Sequence, residues 1–359
     1  MKLIHCADFH LESPLAQLSP DKAELRRNEL LQTFGRLVSY ATEQAVDAVL
    51  IAGDWFDASI VTRKTVDYIR SVIDGCPADF YYLRGNHDGT FSFPDPPERL
   101  HFFGSEWRSY RCGTVTISGI EPADGSWTDA MQLDPAACNV VMLHGGLDGH
   151  DRDGILPEPL RKQSIDYLAL GHWHTHRMDA LDARGTWAYA GCPEPRGFDE
   201  CGTKGFVLLD VQNGGIRPTF IPFAQRTYHA VRVDLSGCAE PTRQQEAVRA
   251  AIDGIPHTDG VQLTLTGRCK PEAVLEDAFW IAALQERFFQ FRLENRIHPA
   301  LDTAQLRSEI SLRGAFYRRV MQSGFTAQAR EEILKLGFAA LDGTSIFSGE
   351  NDADTGSLY

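Results

Sequence analysis

The stretch LALGHWHTHR, residues 168–177, places three histidines in five positions directly after a short apolar run. Side chains alternate between the two faces of an extended segment, so residues two apart share a face. His172, His174 and His176 can therefore point the same way. This pattern is typical of a metal site, and equally of a polar strand end with solvated histidines. The choice between them depends on partner residues elsewhere in the chain.

Length and composition narrow the type of protein. The chain has 359 residues, 43% hydrophobic and 23% charged, and is longer than one core usually spans, so we expect two domains. No apolar run approaches the roughly 20 residues that cross a bilayer. The N-terminus MKLIHCADFH turns polar too early for a secretory signal, and the eight cysteines form no C-x-x-C pair. These features predict a cytoplasmic protein with reduced thiols and no membrane partner.

The first two hundred residues alternate short β-type runs with helical stretches, a pattern typical of an α/β domain. The predicted strands are KLIHC (2–6), AVLIAG (48–53), DFYYLRG (79–85), TVTISGI (114–120), NVVMLHG (139–145), YLALGHW (167–173) and TWAYAG (186–191). Between the first two, residues 22–44 show apolar positions at helical spacing. We expect strand ends to gather active-site loops at one edge of a sheet.

The pattern changes near residue 225. Three further strands, YHAVRVDL (228–235), VQLTLTG (261–267) and FFQFRLE (288–294), are separated by two helical segments, which predicts a small β-α-β-α-β unit. Two helices, over 303–323 and 326–343, and a polar tail follow. The expected organisation is therefore a first domain over 1–225, a small α/β domain over 226–300, and C-terminal helices with a tail over 301–359.

Five polar clusters stand at the ends of predicted strands in the first domain. They are Asp8-Phe9-His10, Gly53-Asp54-Trp55-Phe56-Asp57, Gly85-Asn86-His87-Asp88, His144 and Gly171-His172-Trp173-His174. Each alone could be an ordinary turn, but turn chemistry does not require repeated histidine. Phosphodiester hydrolysis requires charge neutralisation and a nucleophile near pH 7, and two metal ions roughly 3.5–4 Å apart supply both. A bridging carboxylate, for which Asp54 is suited, with oxygen and imidazole ligands on either side would hold such a pair.

These clusters resemble the five motifs of the calcineurin-like metallophosphoesterases: D-x-H, G-D-x-x-D, G-N-H-D, a lone H and G-H-x-H. The resemblance implies an α/β/β/α sandwich of two sheets, followed here by a small α/β capping domain and C-terminal helices. It also implies two metal ions, with manganese as the active metal. Ligand chemistry alone would also admit iron, zinc, cobalt or nickel. One ion would be held by Asp8, His10, Asp54 and His174, and the other by Asp54, Asn86, His144 and His172. His176 is then not a ligand.

The same resemblance implies roles beside the metals. His87 would contact the scissile phosphate and assist the leaving oxygen, and Asp88 would orient the His87 ring. A loop histidine in solvent is the alternative for His87. Asp57 would hold a ligating histidine, or cap the helix that begins near Thr62.

The surroundings of the motifs narrow the resemblance to the SbcD family of DNA repair nucleases. HCADFHLESPL (5–15), VLIAGDWFDAS (49–59) and the segment over 189–211 carry it, and it covers roughly residues 1–225. It implies DNA as substrate, an SMC-like ATPase of the SbcC type bound through the C-terminal helices, and leaves a homodimer open. Leu306, Ile310, Leu312, Phe316 and Val320 form the apolar stripe for such a partner, or for packing within the domain.

The DNA contact and the substrate remain open at this stage. Arg196 and Lys204 could meet a DNA backbone or be solvated surface charges. The formal net charge of −14 is unfavourable for gripping nucleic acid without a basic partner. It suits equally an enzyme acting on small nucleotides, a phosphodiesterase or a phosphatase. A non-catalytic assembly subunit is the third alternative, against which the intact ligand set argues.

Overall fold

We describe the protein from a computed structural model, which covers residues 1–57, 61–121, 128, 131–147, 154–161, 163–212, 214–238, 240–269, 275–300 and 303–341. The predicted polar tail lies outside these residues. The first six strands and two helices are β1 (Lys2–Cys6), α1 (Pro20–Glu43), β2 (Ala48–Ala52), α2 (Arg63–Asp74), β3 (Asp79–Leu83), β4 (Leu100–Phe102), β5 (Arg108–Cys112) and β6 (Val115–Gly119). Next come β7 (Cys138–His144), α3 (Pro157–Leu160), β8 (Tyr167–Gly171), β9 (Arg177–Ala180), β10 (Thr186–Tyr189), β11 (Gly205–Gln212) and β12 (Gly215–Pro222).

Two six-stranded sheets form the first part of the chain. The first has the order β12-β11-β1-β2-β3-β4, with β1 to β4 parallel and β11 antiparallel to β1. The second has the order β5-β6-β7-β8-β10-β9, with β6, β7, β8 and β10 parallel. The parallel strands bring their carboxyl ends to one edge of each sheet, where the polar clusters lie.

The sheets pack face to face with helices outside, which confirms the expected α/β/β/α sandwich. Apolar side chains from both sheets share one buried cluster, including Leu50 and Val207 from the first and Val140 and Ala169 from the second. Helices α1 and α2 bury Leu37 and Ile69, among others, against the other face of the first sheet. A separate cluster, which includes Leu160 of α3, covers the other face of the second sheet.

The C-terminal part contains a three-stranded sheet of β13 (Tyr228–Asp234), β14 (Gly260–Cys269) and β15 (Gln290–Pro299), with α4 (Pro241–Ala251) and α5 (Asp277–Leu284). Helices α6 (Thr303–Ser308), α7 (Leu312–Met321) and α8 (Ala327–Leu341) follow and share a small apolar core. The chain divides into two compact units, one of 1–231, 254–263 and 281–293, the other of 232–253, 264–280 and 294–359. The expected boundary after residue 225 stays a prediction. None of the helices in the described ranges is long and apolar enough to cross a membrane.

One helix prediction is wrong in detail. The helix expected over 303–323 is two helices, α6 and α7, separated at Ser311. Ser311 has extended backbone angles and its hydroxyl accepts a hydrogen bond from the Gly314 N–H at 3.0 Å, so it caps α7. The spacing of the apolar residues continues across Ser311, so this spacing predicts one helix although the Ser311 cap begins a second one.

Candidate metal centre

The loops that follow β1, β2, β3, β7 and β8 meet at one place, as the parallel topology requires. Main-chain hydrogen bonds hold them together: the Asp8 N–H donates to Gly53 O at 3.1 Å and the His10 N–H to Asp54 O at 3.0 Å. The His172 N–H donates to the Asp8 carboxylate at 2.9 Å. The structure thus brings residues separated by more than 160 positions into one buried cluster.

The backbone of this cluster is strained. Asp8, His10 and Asp54 have φ of 54°, 47° and 49°, and His172 has φ of 105°. Residues other than glycine rarely adopt such angles, and each costs on the order of 1–3 kcal/mol. Strain of this kind persists where the surroundings fix it, and it aims side chains at a shared point.

Glycine in two of the motifs has a steric reason. A Cβ on Gly53, whose φ is 89°, would lie 2.1 Å from His144 Nδ1, and a Cβ on Gly171 would lie 1.8 Å from Ala52 O. Only a residue without a side chain lets these loops approach the His144 ring so closely. The glycines before Asp54 and His172 are therefore part of the packing around the cluster.

Asp8, His10 and His174 form the first group of convergent donors. One ligand atom from each lies within 4.8 Å of the others. His10 Nε2 is 3.0 Å from His174 Nε2 and 3.7 Å from Asp54 Oδ2. Two imidazole nitrogens directed at one another beside carboxylates are the arrangement expected around a cation.

Asp8, Asp54 and His144 form the second group of convergent donors, and Asn86 lies against it. His144 Nε2 lies 3.0 Å from Asn86 Oδ1 and 3.3 Å from Asp54 Oδ2. Its other ring nitrogen, Nδ1, lies 2.9 Å from Ala52 O, and a proton on Nδ1 leaves Nε2 as a free donor to a metal. His172 lies beside this group, with its ring centroid 5.5 Å from that of His144. Asp54 faces both groups.

The residues fit a pair of divalent ions. Asp8 Oδ2 is buried and has no hydrogen-bond partner in the described part of the chain. Burial raises the pKa of Asp8 to about 6. Bound cations would neutralise the Asp8 and Asp54 carboxylates and bind the imidazole nitrogens beside them, and such a mixed set of oxygen and nitrogen ligands suits manganese, iron or zinc.

His87 lies at the open side of the cluster, with its side chain 39% exposed. Its N–H donates to Asp54 Oδ1 at 2.8 Å, and its ring centroid lies 4.8 Å from that of His10. Its Nδ1 lies 2.9 Å from Asp57 Oδ1, and this hydrogen bond raises the pKa of His87. The ring is therefore beside the candidate ligands without belonging to the two groups above.

The expectation that Asp88 orients the His87 ring is wrong, because Asp57 does so. Asp88 is buried and accepts hydrogen bonds from the N–H groups of Phe56 at 2.8 Å and Gly85 at 2.7 Å. It thus joins the loops after β2 and β3. Asp57 does not cap α2, whose cap is the Thr62 hydroxyl. Its Oδ2 lies 4.0 Å from His10 Nδ1, so it also faces a candidate ligand.

Arg196 and Lys204, for which the sequence leaves a DNA contact or a solvated surface charge open, are both largely buried and paired. Arg196 is paired with Glu200 and Asp57, and its side chain is 15% exposed. Lys204 is 2% exposed, and its Nζ donates to the His174 carbonyl at 2.7 Å. Both residues lie in the segment after β10 that packs against His174. Lys204 contacts the main chain of this candidate ligand, and Arg196 contacts its partner Glu200. DNA binding by either side chain would require these contacts to break.

Glu200 is a site residue that the sequence analysis missed. It is buried, and its Oε1 lies 2.8 Å from His174 Nδ1. A carboxylate on the far nitrogen of a ligating histidine fixes the tautomer and the ring orientation. No motif spacing marks Glu200, since it lies 26 positions after His174 in an acidic pair with Asp199. His176 stands apart, with Nδ1 2.9 Å from Tyr189 O and its ring stacked on Phe220.

Comparison with known proteins supports the same interpretation. Residues 1–176 match the family model of the calcineurin-like phosphoesterases. The chain is 28% identical over 326 residues to the uncharacterized metallophosphoesterase YhaO of Bacillus subtilis, covering 80% of this chain and 78% of that protein. It is 26% identical over 244 residues to the DNA double-strand break repair protein Mre11 of Sulfurisphaera tokodaii, covering 58% of this chain and 59% of that one.

Five relatives carry the name Mre11, and the chain spans 44–64% of their lengths. Among solved structures, a dimetal phosphatase from Danio rerio superposes on 62% of this chain with a TM-score of 0.40 at 10% identity. The family match covers the strands and loops that supply the convergent carboxylates and histidines. The N-terminal part of the chain is therefore a calcineurin-like metallophosphoesterase domain.

Proposed function

We propose that the protein is a dinuclear metal-dependent phosphodiesterase that cleaves DNA. The observation that carries the proposal is the position of Asp54, whose Oδ2 faces His10 Nε2 on one side and His144 Nε2 on the other. One carboxylate shared by two groups of ligands is what a pair of ions about 3.5–4 Å apart requires. Asp8, His10 and His174 would hold one ion with Asp54, and Asn86, His144 and His172 the other.

The bound ions would neutralise the phosphoryl oxygens and lower the pKa of water that attacks phosphorus. The chain's own residues supply the rest. His87 Nδ1 is hydrogen-bonded to Asp57, so that Nε2 is available to protonate the leaving oxygen of the phosphodiester. The main-chain bond from the His87 N–H to Asp54 keeps that ring beside the shared carboxylate. Strained loops fix the ligands before the substrate arrives, so little reorganisation is required.

The relatives named Mre11 support DNA as the substrate, and the C-terminal helices support an ATPase partner. Ile310, between α6 and α7, is fully exposed and Leu312 at the start of α7 is 72% exposed, whereas Leu306 and Val320 are buried in the small core of α6 to α8. The apolar stripe therefore splits into an internal half and an external half. The external half is suited to a coiled-coil partner of the SMC type, which would also supply the basic surface that this acidic chain lacks.

A small nucleotide is the alternative substrate, favoured by the net charge of −14. The two are separated by incubating the purified chain with Mn²⁺ and linear duplex DNA, single-stranded DNA or a chromogenic phosphodiester, with Asp54→Ala and His87→Ala as controls. The proposal predicts shortening of DNA that both substitutions abolish. Turnover of the small diester with DNA left intact, with or without an SMC-like ATPase, would favour the alternative.

A further inference from the structure

Arg196 is a guanidinium enclosed between two carboxylates at the edge of the candidate metal centre. Its Nε and Nη2 donate to Glu200 Oε1 at 3.0 and 2.8 Å. Its Nη1 donates to Asp57 Oδ2 at 3.2 Å, across 139 positions of the chain. The planar fork therefore joins the segment after β10 to the loop after β2.

Each carboxylate also holds an imidazole. Glu200 Oε1 lies 2.8 Å from His174 Nδ1, and Asp57 Oδ1 lies 2.9 Å from His87 Nδ1. A continuous set of polar contacts thus runs from His174 through Glu200, Arg196 and Asp57 to His87. One end of this set is a candidate metal ligand, and the other is the candidate acid.

The remaining oxygens of both carboxylates are occupied, so neither group turns freely. Glu200 Oε2 accepts a hydrogen bond from the main-chain N–H of Arg196 at 2.6 Å. Asp57 Oδ2 accepts the Ser13 hydroxyl at 2.9 Å in addition to Arg196. Rotation of either carboxylate would break charge-assisted bonds in a site with little access to water. The orientation of one imidazole therefore depends on the orientation of the other.

We infer that Arg196 is a positioning residue that couples His174 to His87 through Glu200 and Asp57. The inference rests on the proposed function, in which His174 binds a metal ion and His87 assists the leaving oxygen. Loss of the guanidinium removes the charge-assisted bonds that restrain both carboxylates, so the two rings are held less firmly and metal affinity and turnover fall together. A residue that only contacted DNA would change DNA affinity and leave a small diester unaffected.

The test uses the full-length chain stripped of metal and titrated with Mn²⁺. We expect Arg196→Met and Glu200→Gln each to weaken Mn²⁺ binding about 10–100-fold. With the chromogenic phosphodiester, kcat falls in Arg196→Met while KM changes little. Arg184→Met is the control, because Arg184 also donates through Nε and Nη2 to one carboxylate, that of Asp166, at 2.9 and 2.8 Å, and belongs to neither group of candidate ligands. Mn²⁺ affinity within twofold of the native value in Arg196→Met overturns the inference.

A double-mutant cycle tests the coupling itself. Glu200→Gln and Asp57→Asn act non-additively on kcat when Arg196 is present and additively in Arg196→Met. Additive effects in the native background contradict the inference. If Arg196→Met does not fold, Arg196→Lys, which keeps the charge and loses the fork, replaces it as the background. If the native chain binds Mn²⁺ without cleaving any diester, the proposed function fails, and the cycle is measured in Mn²⁺ affinity instead. A native chain that binds no Mn²⁺ overturns both.

Discussion

The carboxylate of Asp57 and the ring of His87 lie 2.9 Å apart, Oδ1 to Nδ1, at the open side of the candidate metal centre. This contact leaves the other ring nitrogen, Nε2, directed away from Asp57, and under the proposed function Nε2 is the atom that faces the substrate. His87 contacts the candidate ligands through its main-chain N–H and its ring, and one of its nitrogens lies within 4.8 Å of donor atoms of His10 and Asp57. The proposed function gives His87 the role of an acid and not of a ligand.

Replacing His87 should therefore remove catalysis and spare the metals. We expect His87→Ala to lower hydrolysis of a chromogenic phosphodiester by about 10²–10⁴-fold, the range for loss of a general acid. Mn²⁺ affinity, measured by titration of the metal-free chain, should stay within twofold. Loss of Mn²⁺ binding in His87→Ala would assign the residue to the ligands instead.

The close approach of Gly53 to His144 predicts a large effect from one methyl group. Gly53→Ala places a Cβ against the ring and adds the cost of a positive φ, together at least about 1–3 kcal/mol. We expect a lower free energy of unfolding in denaturant titrations and weaker metal binding. Gly104→Ala is the control, since a Cβ there meets nothing within 4 Å. Equal stability of the two variants would contradict the close packing described around His144.

His5 predicts how stability depends on pH. Its ring is buried between the sheets, with Nδ1 2.9 Å from the Tyr167 hydroxyl and Nε2 3.1 Å from Leu170 O. Burial lowers the pKa of His5 from 6.5 to about 3. Between these two pH values the unfolded chain binds a proton at His5 that the folded chain does not. The contribution of neutral His5 to the free energy of unfolding is therefore complete above pH about 6.5 and is lost as the pH falls towards 3.

His5→Gln should accordingly lose less of its unfolding free energy between pH 7 and pH 4 than the native chain does. Thermal or denaturant unfolding at several pH values gives this difference directly. His257→Gln, at an exposed position, should follow the native profile. A steeper or unchanged pH dependence in His5→Gln would show that the ring is not held neutral.

The exposed and the buried half of the apolar stripe over residues 306–320 predict a small and a large effect of substitution on the free energy of unfolding. Ile310→Ser, at a fully exposed position, should change the free energy of unfolding by less than about 0.5 kcal/mol. Leu306→Ala, in the small core of α6 to α8, should lower it by about 2–5 kcal/mol. Denaturant titrations followed by far-ultraviolet circular dichroism measure both. A large loss in Ile310→Ser would mean that this side chain is buried in the protein alone.

The sequence predicted most of the sandwich, because buried parallel strands are apolar along their whole length. All seven strands predicted in the first part of the chain are present. The strands that were missed include β5 and β9, at the edges of the second sheet, and β9 has all four residues exposed. An edge strand held mainly by backbone pairing carries little apolar signal.

The residues of the candidate site also divide into those that the sequence places together and those that it does not. Residues in the loops directly after strands could be placed together from topology, since parallel strand ends converge. The contacts of Glu200 and Arg196 could not, because they depend on how a later segment folds back over His174. A charged residue in a loop has no periodic pattern, so its burial is visible only once the tertiary structure is known. For that reason the sequence alone does not show that Arg196 and Lys204 contact other residues of the site rather than DNA or solvent.

Asp54 is proposed to join two metal ions, and equilibrium binding of Mn²⁺ to the metal-free chain measures how many ions it holds. The structure predicts two ions per native chain and loss of both high-affinity sites in Asp54→Ala, with His87→Ala still binding two. A native chain that binds none or one, or an Asp54→Ala chain that retains two, would contradict the shared carboxylate and with it the dinuclear centre.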